Sequence, residues 1–224
     1  MGRLSIIVPV LDEAAGISAS LQALAPLRQA GHEVLVVDGG SRDATPALAA
    51  RHATAVLHSE RGRARQMNAG AAVARGEVLL FLHADTTLPA GAAAAVLKAV
   101  DQGASWGRFD VRIQGRSRLL PLVAALMNQR SRLSGIATGD QALFVRASVF
   151  RRLGGYAPLP LMEDVELCRR LRAGGRPACL RDQVTTSGRR WDQHGAWRTI
   201  WLMWRLRWRY WRGEAPEALA RAYR

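Results

Sequence analysis

Residues 79–89 read LLFLHADTTLP: four apolar side chains, then a histidine and an aspartate, then a polar turn closed by Pro89. An unbroken apolar run this short, bounded by turn formers, predicts a strand buried on both faces. Ending it on His83-Ala84-Asp85 sets polar groups at the carboxyl edge of a sheet, where open α/β sheets hold their ligands.

The same pattern repeats upstream. LSIIVPV (4–10) predicts a strand, AAGISASLQALAPLRQAG (14–31) one helix closed by a glycine, and HEVLVVDGG (32–40) a second strand. TPALAARH (45–52) predicts a helix with Thr45 as N-cap and Pro46 in its first turn. TAVLHS, RARQMNAGAAVARG and EVLLFLHAD continue the alternation. Buried strands separated by helices imply a parallel sheet covered on both faces. Three strand ends carry acid: Asp12-Glu13 after Pro9, Asp38 through Asp43, and His83-Ala84-Asp85. Each alone is an ordinary turn, but together they predict a site for a nucleotide with a metal-bound diphosphate.

The 224 residues are 49% hydrophobic, enough to bury a core of one domain with an appendage. Cys168 and Cys179 form no CxxC pair and no disulfide framework, which predicts a reduced, cytoplasmic setting. The N-terminal apolar run meets Asp12-Glu13 too soon for an export signal, and no apolar stretch is long enough to span a bilayer. Residues 1–100 hold nine basic and eight acidic side chains, so thirteen of the fourteen net positive charges belong to residues 101–224. Nucleic acid, anionic lipid and phosphorylated substrates all suit such a surface.

No GxGxxG follows the first strand and no Walker lysine motif occurs, which disfavours a dinucleotide dehydrogenase or a P-loop enzyme. A nucleotidyltransferase would show a basic, glycine-rich loop where PVLDEAAG stands. A nucleic-acid-binding module would explain the charge and the C-terminal aromatics but has no need of three acidic strand ends, so nucleic acid is not an expected partner.

SIIVPVLDE, VVDGGSRDAT, GRARQMNAGAAVARGEVLLFLHADTTLP and PLMEDVELCRRLRAGG resemble, in order and spacing, the motifs of the family 2 inverting glycosyltransferases of the GT-A fold. The block SGIATGDQALFVRASVFRRLGGY, with TTSGRRW, is similar to a bacterial subgroup named for its association with radical-SAM and selenodomain proteins, some labelled arsenosugar biosynthesis enzymes. The resemblance implies a mainly parallel sheet flanked by helices over residues 1–194, with a donor half (1–100) and an acceptor half (101–194). It implies a uridine or guanosine diphosphate sugar donor, a divalent cation (Mg²⁺ or Mn²⁺), and a small-molecule or lipid-linked acceptor. Pro9, Glu13, Asp38, Arg65, Asn68 and Ala84 match donor-nucleotide positions. Asp85 matches the metal ligand that ends the family's D-x-D motif, and Asp164 matches its general base. His83 departs from the aspartate that often opens that motif; a buried, hydrogen-bonded histidine is expected there rather than a ligand.

Inverting transfer requires a base on the acceptor side, and Glu163-Asp164 at a helix start are favoured by the positive helix terminus. In relatives a basic segment after this helix closes on the diphosphate, which puts Arg189, Arg190 and Trp191 among the expected phosphate contacts. Gly139-Asp140 is expected to shape the acceptor pocket, with His194 a remoter metal candidate.

Residues 195–224 form the appendage. In GAWRTIWLMWRLRWRYWRG, Trp197, Trp201, Trp204, Trp208 and Trp211 recur at spacings of four, three, four and three, with Arg198, Arg205, Arg209 and Arg212 on an adjacent side. This predicts an amphipathic helix. The stripe is expected to pack against the protein or across a homodimer, with peripheral contact at the inner face of the membrane as its second reading. LLPLVAALM (119–127) is read as a core helix or part of such a surface.

Overall fold

The computed structural model describes residues 2–223. Its first half alternates as the sequence predicts: β1 (Leu4–Val10), α1 (Ile17–Gln22), α2 (Ala25–Gln29), β2 (Glu33–Asp38), α3 (Thr45–Ala50), β3 (Ala55–His58), α4 (Arg63–Val73) and β4 (Val78–Phe81). The single helix expected over 14–31 is two, because Pro26 has no N–H to continue the first and sits instead in the opening turn of α2. Thr45 is the first residue of α3 rather than its cap. Its hydroxyl donates to Asp43 and accepts the Glu13 N–H at 2.8 Å.

The second half comprises β5 (Thr86–Thr87), α5 (Ala92–Asp101), β6 (Trp106–Gln114), α6 (Leu120–Ser134), a 3₁₀ turn at Gly139–Gln141, β7 (Phe144–Arg146), α7 (Ala147–Arg152), α8 (Glu163–Arg172), β8 (Ala178–Ser187), α9 (Arg189–His194), α10 (Ala196–Trp211) and α11 (Pro216–Tyr223). All eight strands join one sheet in the order β3-β2-β1-β4-β7-β6-β8-β5. The four strands of the first half are parallel, as are β6 and β8. β7 lies antiparallel between β4 and β6, and β5 pairs antiparallel with β8, so the sheet is mixed rather than wholly parallel. Strands of three and two residues are too short for sequence periodicity to reveal.

Alternate residues of the central strands feed opposite layers. Ile6, Val8, Val36 and Leu80 pack under α1 and α5, whereas Ile7, Val37, Leu79 and Phe81 pack under α4 and α7. Gly107 permits the closest approach in the sheet, since a Cβ there would lie 2.3 Å from the Ala178 carbonyl oxygen and 2.4 Å from the Phe144 ring. Both cysteines are free, and burial pushes the Cys168 thiol up to about 12, which makes it inert.

β6 and α6 are tied together by buried charge. Arg108 on β6 is fully buried and bonds to Asp110, to Ser131 Oγ at 3.0 Å and to the Asn128 carbonyl at 3.1 Å. Arg132 bonds to the second Asp110 oxygen, and the Asn128 side chain exchanges two bonds with the Val111 backbone. This network fastens α6 to β6. Asp110→Ala would leave Arg108 buried without its carboxylate, so we expect it to lower unfolding stability by about 3–5 kcal/mol in chemical denaturation.

The tryptophan stripe does not pack within the chain. Trp197, Trp201, Trp204, Trp208 and Trp211 are 59–81% exposed. The buried side of α10 is the other one: Thr199 and Leu206, with Leu202, Met203 and Tyr210 partly covered. Leu206 meets Leu219 of α11 and Met162, the residue preceding α8. Leu206→Ala is therefore expected to cost about 2–5 kcal/mol, whereas Trp204→Ala and Trp208→Ala stay within about 0.5 kcal/mol of wild type by thermal denaturation.

Candidate active site

A cleft of about 1010 Å³ opens beyond the carboxyl ends of β1 and β4 and runs between α6, α8 and α10. Its first wall holds Pro9, Val10, Leu11 and Glu13 after β1, and Arg61, Gly62, Arg63 and Gln66 at the start of α4. The loop carrying Glu13 is stapled to the loop after β2. Ser41 Oγ accepts the Asp12 N–H at 2.9 Å, Asp12 accepts the Arg42 N–H at 2.8 Å, and Asp43 accepts the Ala14 N–H at 3.0 Å. Gln66 is buried, and its amide donates to the carbonyls of Val10 and Val37, both at 2.8 Å, closing the ends of β1 and β2 together.

The floor is His83, Ala84 and Asp85. Burial, reinforced by the Arg63 guanidinium, pushes the His83 imidazole down to about 3, so the ring is neutral. Its position explains Gly139, where a Cβ would lie 2.4 Å from His83 Nε2. The expected hydrogen bond of this ring is not formed among the described residues. Asp85 is exposed to the cleft and in no ion pair among the described residues. Its own carbonyl accepts the Ser187 N–H at 3.2 Å, and the next residue, Thr86, meets the Thr186 hydroxyl at 2.9 Å.

The far wall gathers three carboxyl groups. Asp164 Oδ2 accepts the Gly139 N–H at 2.9 Å and Oδ1 accepts the Val165 N–H at 2.7 Å. Burial nevertheless raises the pKa of Asp164 above the ordinary aspartate range, those two bonds, Arg63 and Arg130 opposing it. Burial and the Asp164 charge push Glu163 up to about 7. Asp140 is raised by burial first and by Asp164 as a like charge. Arg130, reaching in from α6, has Nε and Nη2 buried without a hydrogen-bond partner among the described residues, as is Asp140 Oδ1. The mouth is apolar, formed by Leu126, Leu133, Leu161, Met203 and Trp204, with Trp191 and Arg207 beside it.

The cleft thus brings together Pro9, Glu13, Ala84, Asp85, Gly139, Asp140, Glu163, Asp164 and Trp191. Six other sequence-derived positions lie outside its lining. Asp38 is buried at the end of β2; burial opposes its charge, but bonds from the Ser41 side chain and backbone and from Gly40 outweigh this and lower its pKa. Arg65 faces solvent and pairs with Glu60. The Asn68 amide grips the Tyr156 backbone through both its oxygen and nitrogen. Arg189 lies 3.7 Å from Glu13, Arg190 is stacked on the Tyr223 ring, and His194 ends α9.

Among the described residues, no three His, Cys, Asp or Glu side chains cluster to hold a metal ion. A hard cation of the Mg²⁺ type needs only one or two carboxylates when substrate phosphates and waters complete its shell. Asp85, unpaired and open to the cleft, meets that requirement, and neutral His83 lies beside it.

The sequence profile of glycosyl transferase family 2 matches residues 5–152. Uncharacterized glycosyltransferases of Mycobacterium tuberculosis and Mycobacterium bovis are 32% identical over 101 residues, 45% of this chain and 44% of theirs. The chain is thus matched over less than half the length of these curated relatives. Among solved structures, a mannosyltransferase from Pyrobaculum calidifontis in complex with GDP-Man and Mn²⁺ aligns over 99% of this chain and 69% of its own, with a TM-score of 0.70 and 22% identity. TarS of S. aureus in complex with UDP-GlcNAc aligns over 83% of this chain and 58% of its own, at 0.66 and 17%. Glucosyl-3-phosphoglycerate synthase from Mycobacterium tuberculosis with Mg²⁺ and UDP aligns over 83% and 70%, at 0.62 and 19%. At these identities the likeness establishes the GT-A fold.

Proposed function

The chain belongs to glycosyl transferase family 2, and on that premise we propose that it moves a sugar from a nucleoside diphosphate sugar to an acceptor hydroxyl by single displacement with inversion. The observation that carries this reading is the pairing within one cleft of an open carboxylate at a strand end, Asp85, with a fixed carboxylate of raised pKa, Asp164. Pro9, Glu13 and Ala84 line the donor side, while Arg61 and Arg63 supply cations for the diphosphate. Asp164 takes the acceptor proton as the acceptor oxygen bonds to the anomeric carbon. The bond from that carbon to the diphosphate breaks, and the nucleoside diphosphate leaves with the electron pair. Two backbone N–H groups hold the base in place. Arg130 and Asp140 offer unpartnered polar atoms to the acceptor.

Asp85 would hold a divalent cation, which when bound neutralises the diphosphate leaving group. The Mn²⁺ and Mg²⁺ of the Pyrobaculum and Mycobacterium structures support a divalent cation, and their GDP-Man and UDP support a guanosine or uridine donor. The finer likeness to the radical-SAM-associated subgroup belongs to the same proposal and leaves the acceptor to experiment. The test is a donor screen read by released nucleoside diphosphate and by thermal shift with and without Mn²⁺. We expect one donor to be stabilising and turned over. Neither binding nor release with any uridine or guanosine donor would overturn the assignment.

A further inference from the structure

The five exposed indoles of α10 do not stand alone. On α6, across the cleft mouth, Leu122, Leu126 and Leu133 are 58–70% exposed, and Leu126, Leu133 and Trp204 line the same opening. Exposed apolar side chains of both helices therefore border the mouth. Exposed apolar area of this kind marks an interaction surface.

Charge identifies what covers it. α10 contains no acidic residue, and Arg198, Arg205, Arg207 and Arg212 form no ion pair among the described residues, whereas Arg209 pairs with Glu214. The Arg205 guanidinium lies 5.2 Å from the Trp201 ring and that of Arg212 5.4 Å from Trp208, so cations and indoles share one level. A second copy related by a two-fold axis would set this arginine-rich face against itself, like charge on like. A headgroup layer instead offers phosphates to the guanidinium groups, apolar depth to the ring bodies, and water or ester oxygen to the indole N–H groups. No helix among the described residues is long and apolar enough to cross a membrane, so α10 would lie along the surface.

We propose that the tryptophan and arginine face of α10, with the outward leucines of α6, seats this protein on an anionic lipid bilayer, so that the cleft mouth opens onto the membrane surface. The proposal rests on the surface alone and stands whether or not the cleft transfers sugar.

The test uses the full chain and vesicles of equal parts phosphatidylglycerol and phosphatidylcholine, with phosphatidylcholine vesicles as the control. The wild type is expected to sediment with the anionic vesicles at physiological salt, to release as salt rises, and to show blue-shifted tryptophan emission quenched by brominated lipid. Trp204→Ala with Trp208→Ala should weaken binding at least about tenfold while melting normally. Arg198→Gln with Arg205→Gln should weaken it by about thirtyfold, the loss of two cations near an anionic surface. Wild type that stays in the supernatant overturns the proposal. So does a lipid-free dimer in sedimentation velocity that the tryptophan substitutions dissolve, which would assign the face to a second copy.

Discussion

Asp164→Asn leaves donor affinity nearly unchanged and lowers turnover by roughly two or more orders of magnitude, the scale of lost general-base catalysis. The amide keeps an oxygen for the Gly139 N–H but turns its NH₂ toward the Val165 N–H and forfeits that bond. Unchanged donor affinity and an unchanged melting temperature are therefore the checks that the loss lies in proton transfer. A base must be ionised, and burial raises the pKa of Asp164. Wild-type turnover is therefore expected to fall as pH drops through that raised value, and the limb should vanish in the variant. Glu163→Gln provides the contrast. A carboxyl pushed up to about 7 from the model-peptide value of 4.5 binds more protons folded than unfolded between those values. Its stabilising contribution is thus present below about 4.5 and lost as pH rises to about 7. The Gln variant should flatten that slope in stability while keeping the turnover limb. If Asp164→Asn retained turnover, the base would be Glu163 or Asp140, the other two carboxyl groups of the same wall.

Asp85→Ala abolishes metal-dependent donor binding. Asp85 is the carboxylate at the end of β4, and removing it leaves neutral His83 as the nearest donor on the floor. Titrating the donor by calorimetry with and without Mn²⁺ checks this: the wild type should bind far more tightly with the ion, and the variant equally weakly either way. Unchanged, ion-enhanced affinity in the variant would sink the metal assignment. Protein stability should hardly move, because Asp85 is exposed, its carbonyl keeps the Ser187 bond, and its carboxylate gives up only a long 3.5 Å bond from the Thr86 hydroxyl.

The strands of the first half are legible because each has a predominantly apolar centre, and the segments after β1 and β4 mark one rim of the cleft. Side-chain direction on a helix was harder to read. The motif points to Arg65, but residues two apart on a helix point to opposite sides. It is Arg63, with Gln66 one turn on, that lines the cleft, while Arg65 meets Glu60. Asn68 carries an amide as suited to gripping the Tyr156 backbone as to a nucleotide, and nothing local separates the two. Arg130 has a signal in α6: Val123, Met127 and Arg130 share one helical stripe, and an arginine continuing an apolar row marks a site. The tryptophan stripe misled because α10 is apolar on both sides. Periodicity located the face but could not say that Leu206, rather than Trp204, turns inward.

The ladder beneath the cleft floor joins Thr86 to Thr186, one hundred positions apart, whereas β1 meets β2 at Ser5 and Glu33, β2 meets β3 at Leu35 and Ala55, and β1 meets β4 at Leu4 and Val78. Long-range closures cost more chain entropy and form late. During synthesis the parallel β1–β4 layer can assemble while the ribosome is still adding the strands that follow it. Asp85 sits at the seam between these two stages. The nascent chain is therefore expected to order the β1–β4 layer first, with Asp85 reaching its final setting only when β8 has emerged and docked.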